Sequence, residues 1–176
     1  YPNAQYHYRE RPSGSEQNIL IYCIDGGGWV EVKNIRKKVQ KDQFFIIPAH
    51  VPHKYGADNS MPWTIHWLHF TGNNAENLLQ KDFSVINIDP DENTGNDRRI
   101  GLFEEIYHNL SMGFSMENLE YSSLCLWYLL GTFNYIPQFK RVTLILQTDF
   151  TEKSIMYMHQ QIEKKINFSE LASYFG

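Results

Sequence analysis

A series of short apolar runs between residues 18 and 88, each ending at turn-forming residues, most constrains what this chain can fold into. Glycines at 26–28 allow backbone angles that other residues resist, and Lys33-Asn34 and Lys41-Asp42 are typical of tight hairpin turns. Strands separated by turns at this spacing predict an antiparallel sandwich or barrel. The expected strands are 19–24, 29–32, 35–39, 44–47, 53–55, 63–70 and 83–88.

The apolar pattern changes to a helical period after residue 100, which predicts helices over 101–110 and 116–136. Thr151 is a suitable N-cap for a further helix over 151–165, and Asn167 with Glu170 resembles a second capping sequence before 171–176. Short strands followed by helices predict an α+β fold.

The second half of the helix predicted over 116–136 is apolar nearly all round, so its side chains cannot all face one core. We expect one side to pack on the β body and another to contact a second copy of the chain, which gives a homodimer. The alternative is a helix that is fully buried inside a monomer. The expected dimer residues are Leu119, Leu126, Trp127, Leu130 and Phe133.

Charge and cysteine content narrow the classes of protein. Sixteen Lys and Arg against twenty Asp and Glu give a net charge of −4, which argues against a chain that itself coats DNA. Cys23 and Cys125 lack any metal-binding spacing and predict free thiols in a reducing compartment.

No stretch reaches the length of a membrane span, so we expect a soluble cytoplasmic protein. Because the first residue is not Met and the sequence stops at Gly176 in mid-pattern, we also expect a fragment of a longer chain.

Two His-x-x-His pairs, His50/His53 and His66/His69, raise the question of a metal site. Residues three apart on a strand point to opposite faces, so His66 and His69 cannot converge on one ion. His50 lies in a loop flanked by prolines. We therefore expect no metal and no cofactor, and no spacing of nucleophile, base or paired carboxylates indicates an enzyme.

Strand alternation instead indicates a cavity lined by rings. His53 and Tyr55 are expected to share one face, and Ile65, Trp67 and His69 one face of the next long strand. Eleven Tyr, eleven Phe and four Trp are more than a helix bundle needs. Aromatic faces with a few polar tips are typical of a site for a small polar ligand such as a sugar, although rings that simply fill the barrel give the same pattern.

Several segments resemble, in order and spacing, the N-terminal regulatory domain of AraC-type bacterial transcription regulators. They are Arg11-Pro12, 26–29, 42–48, 51–55 and 63–70, together with a tail at 168–176 that looks like the first helix of a helix-turn-helix domain. The resemblance implies a cupin-like, jelly-roll type β-barrel that binds an effector, helices that form an antiparallel dimer contact, and a DNA-binding domain that is mostly absent. The domains expected on this basis are an arm and barrel at 1–90, a dimerisation region at 91–140, and a linker with the truncated DNA-binding domain at 141–176.

The resemblance to sugar-responsive members implies that Arg11, Tyr55 and Trp67 contact the effector, which we expect to be a sugar. A guanidinium offers a fork of donors, a phenol donates or accepts, and an indole stacks on a sugar ring. Where such members often carry an imidazole, this chain has Ile65, so we add His53 and His69 as candidate polar contacts. DNA is expected as a partner only through the full-length C-terminal domain. A metal-dependent cupin enzyme and a free-standing carbohydrate-binding module are the alternative functions.

Overall fold

The β part of the chain forms two facing sheets. The computed structural model describes residues 2–72, 83–88, 96–160 and 169. Its strands are all antiparallel and are ordered β1-β6-β3-β4 in one sheet and β7-β2-β5-β8 in the other. They are β1 (Tyr8–Arg11), β2 (Asn18–Asp25), β3 (Gly27–Val32), β4 (Ile35–Gln40), β5 (Gln43–Ile47), β6 (His53–Ala57), β7 (Thr64–Phe70) and β8 (Ile86–Asn87). The predicted cupin-like antiparallel barrel of an α+β chain is confirmed.

Strand β2 is buried on both faces, which explains its unbroken apolar run. Ile19 and Ile21 face the other sheet and belong to the core between the sheets. Leu20 and Tyr22 face the opposite way and belong to a second core between this sheet and the helices. A strand that is covered on both sides needs apolar residues at every position, because successive side chains alternate between its faces.

The turns lie where the sequence predicts them. Lys33 and Asn34 have φ values of 51° and 62° and join β3 to β4, and Asp42, with φ 61°, joins β4 to β5. Gly26, with φ 69°, separates β2 from β3. A Cβ on Gly26 would overlap the Pro62 carbonyl oxygen, so the position requires glycine for space as well as for its backbone angle.

Three described helices follow the barrel: α1 (Asn96–Ser111), α2 (Met116–Asn134) and α3 (Ile136–Gln160). Helix α2 begins after Ser115, whose Oγ accepts the N–H of Asn118 at 3.2 Å. Side chains of α1 and α2 pack on the outer face of the sheet that contains β2. The ring of Phe133 lies 4.6 Å from that of Phe44 between centroids.

The prediction of a helix N-terminus at Thr151 is wrong. Helix α2 ends at Asn134, and α3 starts at Ile136 and continues through Thr151 to Gln160. Pro137 lies in the first turn of α3, where its missing N–H is tolerated and where it prevents α2 from continuing. No Gly or Pro follows until the end of α3, so nothing interrupts it. The helix also runs across the domain boundary expected at 140/141, and the capping sequence and helix expected at 167–176 lie outside the described residues except for Ser169.

The expected dimer residues fall into two groups. Leu130 and Phe133 are 3% and 2% exposed and lie in the core between helices and sheet, so we assign them to the fold of the single chain and not to a dimer. Leu126 is partly buried against the same core. Leu119 and Trp127 remain exposed, at 42% and 46%. The helical period alone could not show which side of α2 covers the barrel.

Two strands differ from the sequence prediction. β1 was not predicted, because Tyr8–Arg11 is polar at every position and lacks the apolar alternation of a half-buried strand. The run at 83–88 contributes only the two residues Ile86–Asn87, which pair with Gln43 and Phe44. None of the described helices combines the length and apolarity needed to cross a membrane.

Candidate ligand-binding cavity

A cavity of about 280 Å³ opens between β1 and β7, the neighbouring edges of the two sheets. The arm, residues 2–11, supplies one wall and the inner faces of β2, β6 and β7 supply the others. The residues that line it are His7, Arg9, Arg11, Ile21, Tyr55, Ile65, Trp67 and His69. Four of the five predicted ligand-binding residues therefore meet in one cavity: Arg11, Tyr55, Trp67 and His69.

The arm presents alternate residues to the cavity. Arg9 and Arg11 face inward beside β6, where they pair in register with Tyr55 and His53. Glu10 lies on the other face, where it accepts a hydrogen bond from the Tyr8 hydroxyl at 2.7 Å and pairs with Lys54 at 3.1 Å. Alternation along a strand thus directs the arginines into the cavity and the acid away from it.

Hydrogen bonds attach the start of the arm to the barrel. The Ala4 N–H donates to the Trp63 carbonyl oxygen at 2.9 Å, and the indole Nε1–H of Trp63 donates to Nδ1 of His7 at 3.2 Å. Trp63 is fully buried, so the arm is anchored to a rigid part of the core.

Tyr55 is the most constrained polar group of the cavity. Its ring lies parallel to that of His53, at 5.9 Å between centroids, and contacts His7 edge to face at 5.7 Å. Its hydroxyl accepts a hydrogen bond from Nη1 of Arg11 at 3.1 Å. Because the hydroxyl accepts from Arg11, its own proton is available to a ligand.

Strand β7 supplies the opposite wall, and Ile65, Trp67 and His69 share the cavity face as alternation predicts. Trp67 is 46% exposed, which leaves part of its indole ring uncovered at the cavity mouth. His69 contacts Trp67 edge to face at 5.4 Å, and its Nδ1–H donates to Oε1 of Gln17 at 2.9 Å. A partly uncovered indole beside fixed polar groups suits a ligand that has both a hydrocarbon face and hydroxyls.

His53 lies behind Tyr55 and does not line the cavity. It is buried, and because a carbonyl oxygen only accepts, its Nδ1 must carry the proton that it donates to the Val51 oxygen at 2.7 Å. Its Nε2 is buried and has no hydrogen-bond partner among the described residues. The ring therefore supports Tyr55 and holds an unpaired nitrogen in the barrel interior.

The imidazoles in and behind the cavity wall have pKa values below the usual 6.5, so they are neutral near pH 7. Burial lowers the pKa of His7, and the charge of Arg9 lowers it further. Burial and the charge of Arg11 lower the pKa of His69 in the same way. For His53, burial lowers the pKa, the hydrogen bond to Val51 opposes this, and Arg11 adds to the lowering.

The His-x-x-His pairs do not converge. His66 points to the helices, with its ring 5.2 Å from Phe103, whereas His69 lines the cavity on the other face of the sheet. His50 is exposed while His53 is buried. Among residues 2–72, 83–88 and 96–160, no three His, Cys, Asp or Glu side chains are grouped so that they could hold a metal ion.

Sequence reasoning missed His7, Arg9 and Ile21 as lining residues. Ile21 has the sequence pattern of an ordinary core residue. In the arm, His7, Arg9 and Arg11 alternate with Tyr8 and Glu10. This alternation indicates a cavity-facing side only once the arm is known to be a strand.

Comparison with known proteins identifies the family. A model of the AraC-like ligand binding domain matches residues 2–114, so the chain belongs to this family. The MmsAB operon regulatory protein of Pseudomonas aeruginosa is 33% identical over 85 residues, which cover 43% of this chain and 28% of that protein. The Msm operon regulatory protein of Streptococcus mutans is 26% identical over 74 residues, 42% of this chain and 27% of that protein. The matched segment thus spans little more than a quarter of either curated relative.

Among solved structures, a bacterial pirin from Escherichia coli in complex with nickel(II) is similar at 13% identity and a TM-score of 0.27, over 39% of this chain and 36% of the pirin. This likeness is too low to bear on the cavity.

Proposed function

We propose that this chain is the effector-sensing and dimerisation part of a cytoplasmic bacterial transcription regulator, and that it is not an enzyme. The observation that carries the proposal is the cavity between the arm and the barrel, where Arg11, Tyr55 and Trp67 meet. Membership of the AraC-like ligand binding domain family and similarity to two operon regulatory proteins support it.

The chemistry of the cavity favours a small polar ligand, and we propose a sugar or sugar derivative. The exposed indole of Trp67 offers a stacking face. The Tyr55 hydroxyl can donate one hydrogen bond to the ligand, and the Arg11 guanidinium can donate several in a fixed, forked geometry. A volume of about 280 Å³ lies at the small end of ligand pockets, which start at roughly 300 Å³. The size therefore favours a monosaccharide over a disaccharide.

The homodimer is proposed to form through apolar side chains of α2 that the barrel leaves exposed. Leu119 and Trp127 are two of them, and Leu124 and Tyr128 add to the uncovered apolar surface of the same helix. Helix α3 also exposes apolar side chains, among them Ile145. Exposed apolar area on this scale is typical of a protein interface.

The arm is proposed to couple effector binding to DNA binding. His7, Arg9 and Arg11 line the cavity, so a bound effector would touch the arm directly and favour the conformation in which β1 pairs with β6. That ordering would change how helix α3 presents a C-terminal helix-turn-helix domain to DNA. Deleting residues 1–9 from the full-length protein should abolish the effector response and retain DNA binding, whereas an unchanged response would reject this coupling.

A thermal-shift screen of the 176-residue chain tests effector sensing. A ligand present at 100 times its Kd stabilises the folded state by about 2.7 kcal/mol, which raises Tm by several degrees. The proposal predicts that at least one monosaccharide or sugar acid raises Tm more than the related disaccharides do, and that the effect shrinks in a Tyr55→Phe variant. The proposal fails if no compound in the panel raises Tm, or if the stabilising compound acts equally on Tyr55→Phe.

A further inference from the structure

The described lining of the cavity carries a net positive charge, whereas the whole chain carries a net negative charge. Arg9 and Arg11 line the cavity, and among the described residues no Asp or Glu belongs to its lining. The whole chain carries twenty acidic against sixteen basic residues, so average composition does not account for a cavity with two cations and no anion.

Neither arginine has a carboxylate partner within the described part of the chain. Glu10, which lies between them in β1, pairs instead with Lys54 on the outer face of the sheet. The hydrogen bond of Arg11 goes to the neutral phenol of Tyr55. Arg11 is half-buried and Arg9 is exposed. A guanidinium that lacks a counter-charge keeps most of its donors for an anionic ligand.

The charges of the two arginines act on the neighbouring imidazoles. The charge of Arg9 lowers the pKa of His7, and the charge of Arg11 lowers the pKa of His69, in each case in addition to the effect of burial. Both imidazoles are therefore neutral near pH 7, so they add no positive charge of their own to the cavity.

A second pocket, which includes the outer-face residues Glu10 and Lys54, has both acidic and basic residues in its lining. It measures about 250 Å³, and Glu10 and Glu31 oppose Lys33 and Lys54 in its lining. The described lining of the cavity between arm and barrel has no such acidic residue, which favours an anionic ligand there.

We propose that the effector carries an anionic group, a carboxylate or a phosphate, bound between the guanidinium groups of Arg9 and Arg11. The forked donors of arginine match the two oxygen atoms of a carboxylate or phosphate, and the remainder of the molecule lies toward the indole of Trp67. The inference rests on the proposed function of this cavity as the effector site. It narrows the effector class to small sugar acids, hydroxy acids or monosaccharide phosphates.

NMR of the arginine side chains tests the anion site without knowledge of the natural effector. The Nε–Hε signals of the 176-residue chain are followed during titration with sodium acetate, with inorganic phosphate, and with acetamide as the uncharged counterpart of acetate, at constant ionic strength. Signals of Arg9 and Arg11 are assigned with Arg9→Gln and Arg11→Gln. Arg36→Gln is the matched control, because Arg36 stacks on Trp29, which does not line the cavity.

The proposal predicts saturable shifts of the Arg9 and Arg11 signals with acetate or phosphate and none with acetamide. Each cavity substitution should weaken binding about tenfold, and Arg36→Gln should leave it unchanged. The stronger of acetate and phosphate identifies the anionic group. Absence of saturable shifts with both anions, or equal shifts with acetamide, overturns the proposal.

A thermal-shift comparison of glucose with glucuronate and glucose 6-phosphate separates this inference from the function beneath it. If glucose stabilises the chain as much as its anionic derivatives and the effect persists in Arg9→Gln, the proposal of an anionic group on the effector is wrong, while effector sensing stands. If the acetate or phosphate site is present but no full-length regulatory response depends on Arg9 or Arg11, the site exists and the proposed function fails.

Discussion

The guanidinium of Arg11 donates from Nη1 to the hydroxyl of Tyr55 across 3.1 Å, and this hydrogen bond joins the arm to the barrel at the cavity wall. It links two strands that also pair in register, since Arg11 lies opposite His53 and Arg9 opposite Tyr55. The contact places a donor fork and a phenol side by side, so one small ligand can reach both.

Replacing Tyr55 with Phe removes this hydroxyl and preserves the ring that stacks on His53. A hydrogen bond to a charged group contributes about 1.5–3 kcal/mol, so effector affinity should fall at least about tenfold. Tm of the unliganded chain should also fall, because the hydrogen bond from Arg11 is lost. Calorimetric titration measures the first effect and thermal unfolding the second. An unchanged Kd would place the effector away from Tyr55.

Stability should fall as pH is lowered from 7.5 to 5.5. Burial lowers the pKa of His7, His53, His66 and His69 below the usual 6.5, so the unfolded chain binds protons in this range that the folded chain resists. The contribution of these neutral imidazoles to the free energy of unfolding is fully present above pH 6.5. It is lost as pH falls toward their pKa values in the folded chain. Thermal unfolding at both pH values measures the effect, and an equal or higher Tm at pH 5.5 would contradict it.

A variant pair refines the pH prediction. His53→Gln should make Tm less dependent on pH, because it removes one of the buried imidazoles. His108→Gln is the control on an exposed part of α1 and should leave the dependence as it is.

Gly28 should not tolerate a side chain. A Cβ at this position would overlap the ring of Trp63 and lie 2.5 Å from the Gly56 carbonyl oxygen. We expect Gly28→Ala to cost about 1–3 kcal/mol in the free energy of unfolding, since neither the buried ring nor the backbone can move away cheaply. Gly131→Ala, in α2 with nothing within 4 Å of the added methyl, should instead stabilise by about 0.5–1 kcal/mol. Denaturant unfolding of both variants checks the opposite signs.

The proposed dimer predicts that Leu119→Glu combined with Trp127→Glu produces a monomer. Both side chains are exposed on α2, so the charges should disrupt an interface and leave the fold intact. Light scattering should give twice the chain mass of 20.8 kDa for the wild type and a single mass for the variant. Met61→Glu, an exposed residue of the barrel loop before β7, serves as the control. A wild type that is monomeric at all concentrations would refute the dimer.

Local chemistry made much of the fold predictable. The hairpin turns at Lys33-Asn34 and at Asp42 follow from residues that tolerate a left-handed backbone, and the cavity face of β7 follows from alternation. Strand β1 could not be predicted in this way. It is polar on both sides, since one side lines a cavity and the other forms the contact between Glu10 and Lys54.

In the helices, the surrounding structure determines which side chains are buried and where a helix begins. Nothing local distinguishes Phe133, which packs on Phe44, from Trp127, which is exposed. Thr151 has the chemistry of an N-cap but lies inside α3, because the helix had already started at Ile136 and meets no breaker. A capping residue indicates a helix start only where the preceding residues do not already form a helix.

The central claim is that the cavity between arm and barrel binds the effector, and Trp67 tests it most directly. Calorimetric titration of the compound that gives the largest thermal shift should yield one site per chain. Trp67→Ala should weaken binding at least about tenfold because it removes the uncovered stacking face, while Tyr107→Ala, an exposed aromatic of α1, should bind as the wild type does. Equal affinities for the wild type and Trp67→Ala would contradict the account.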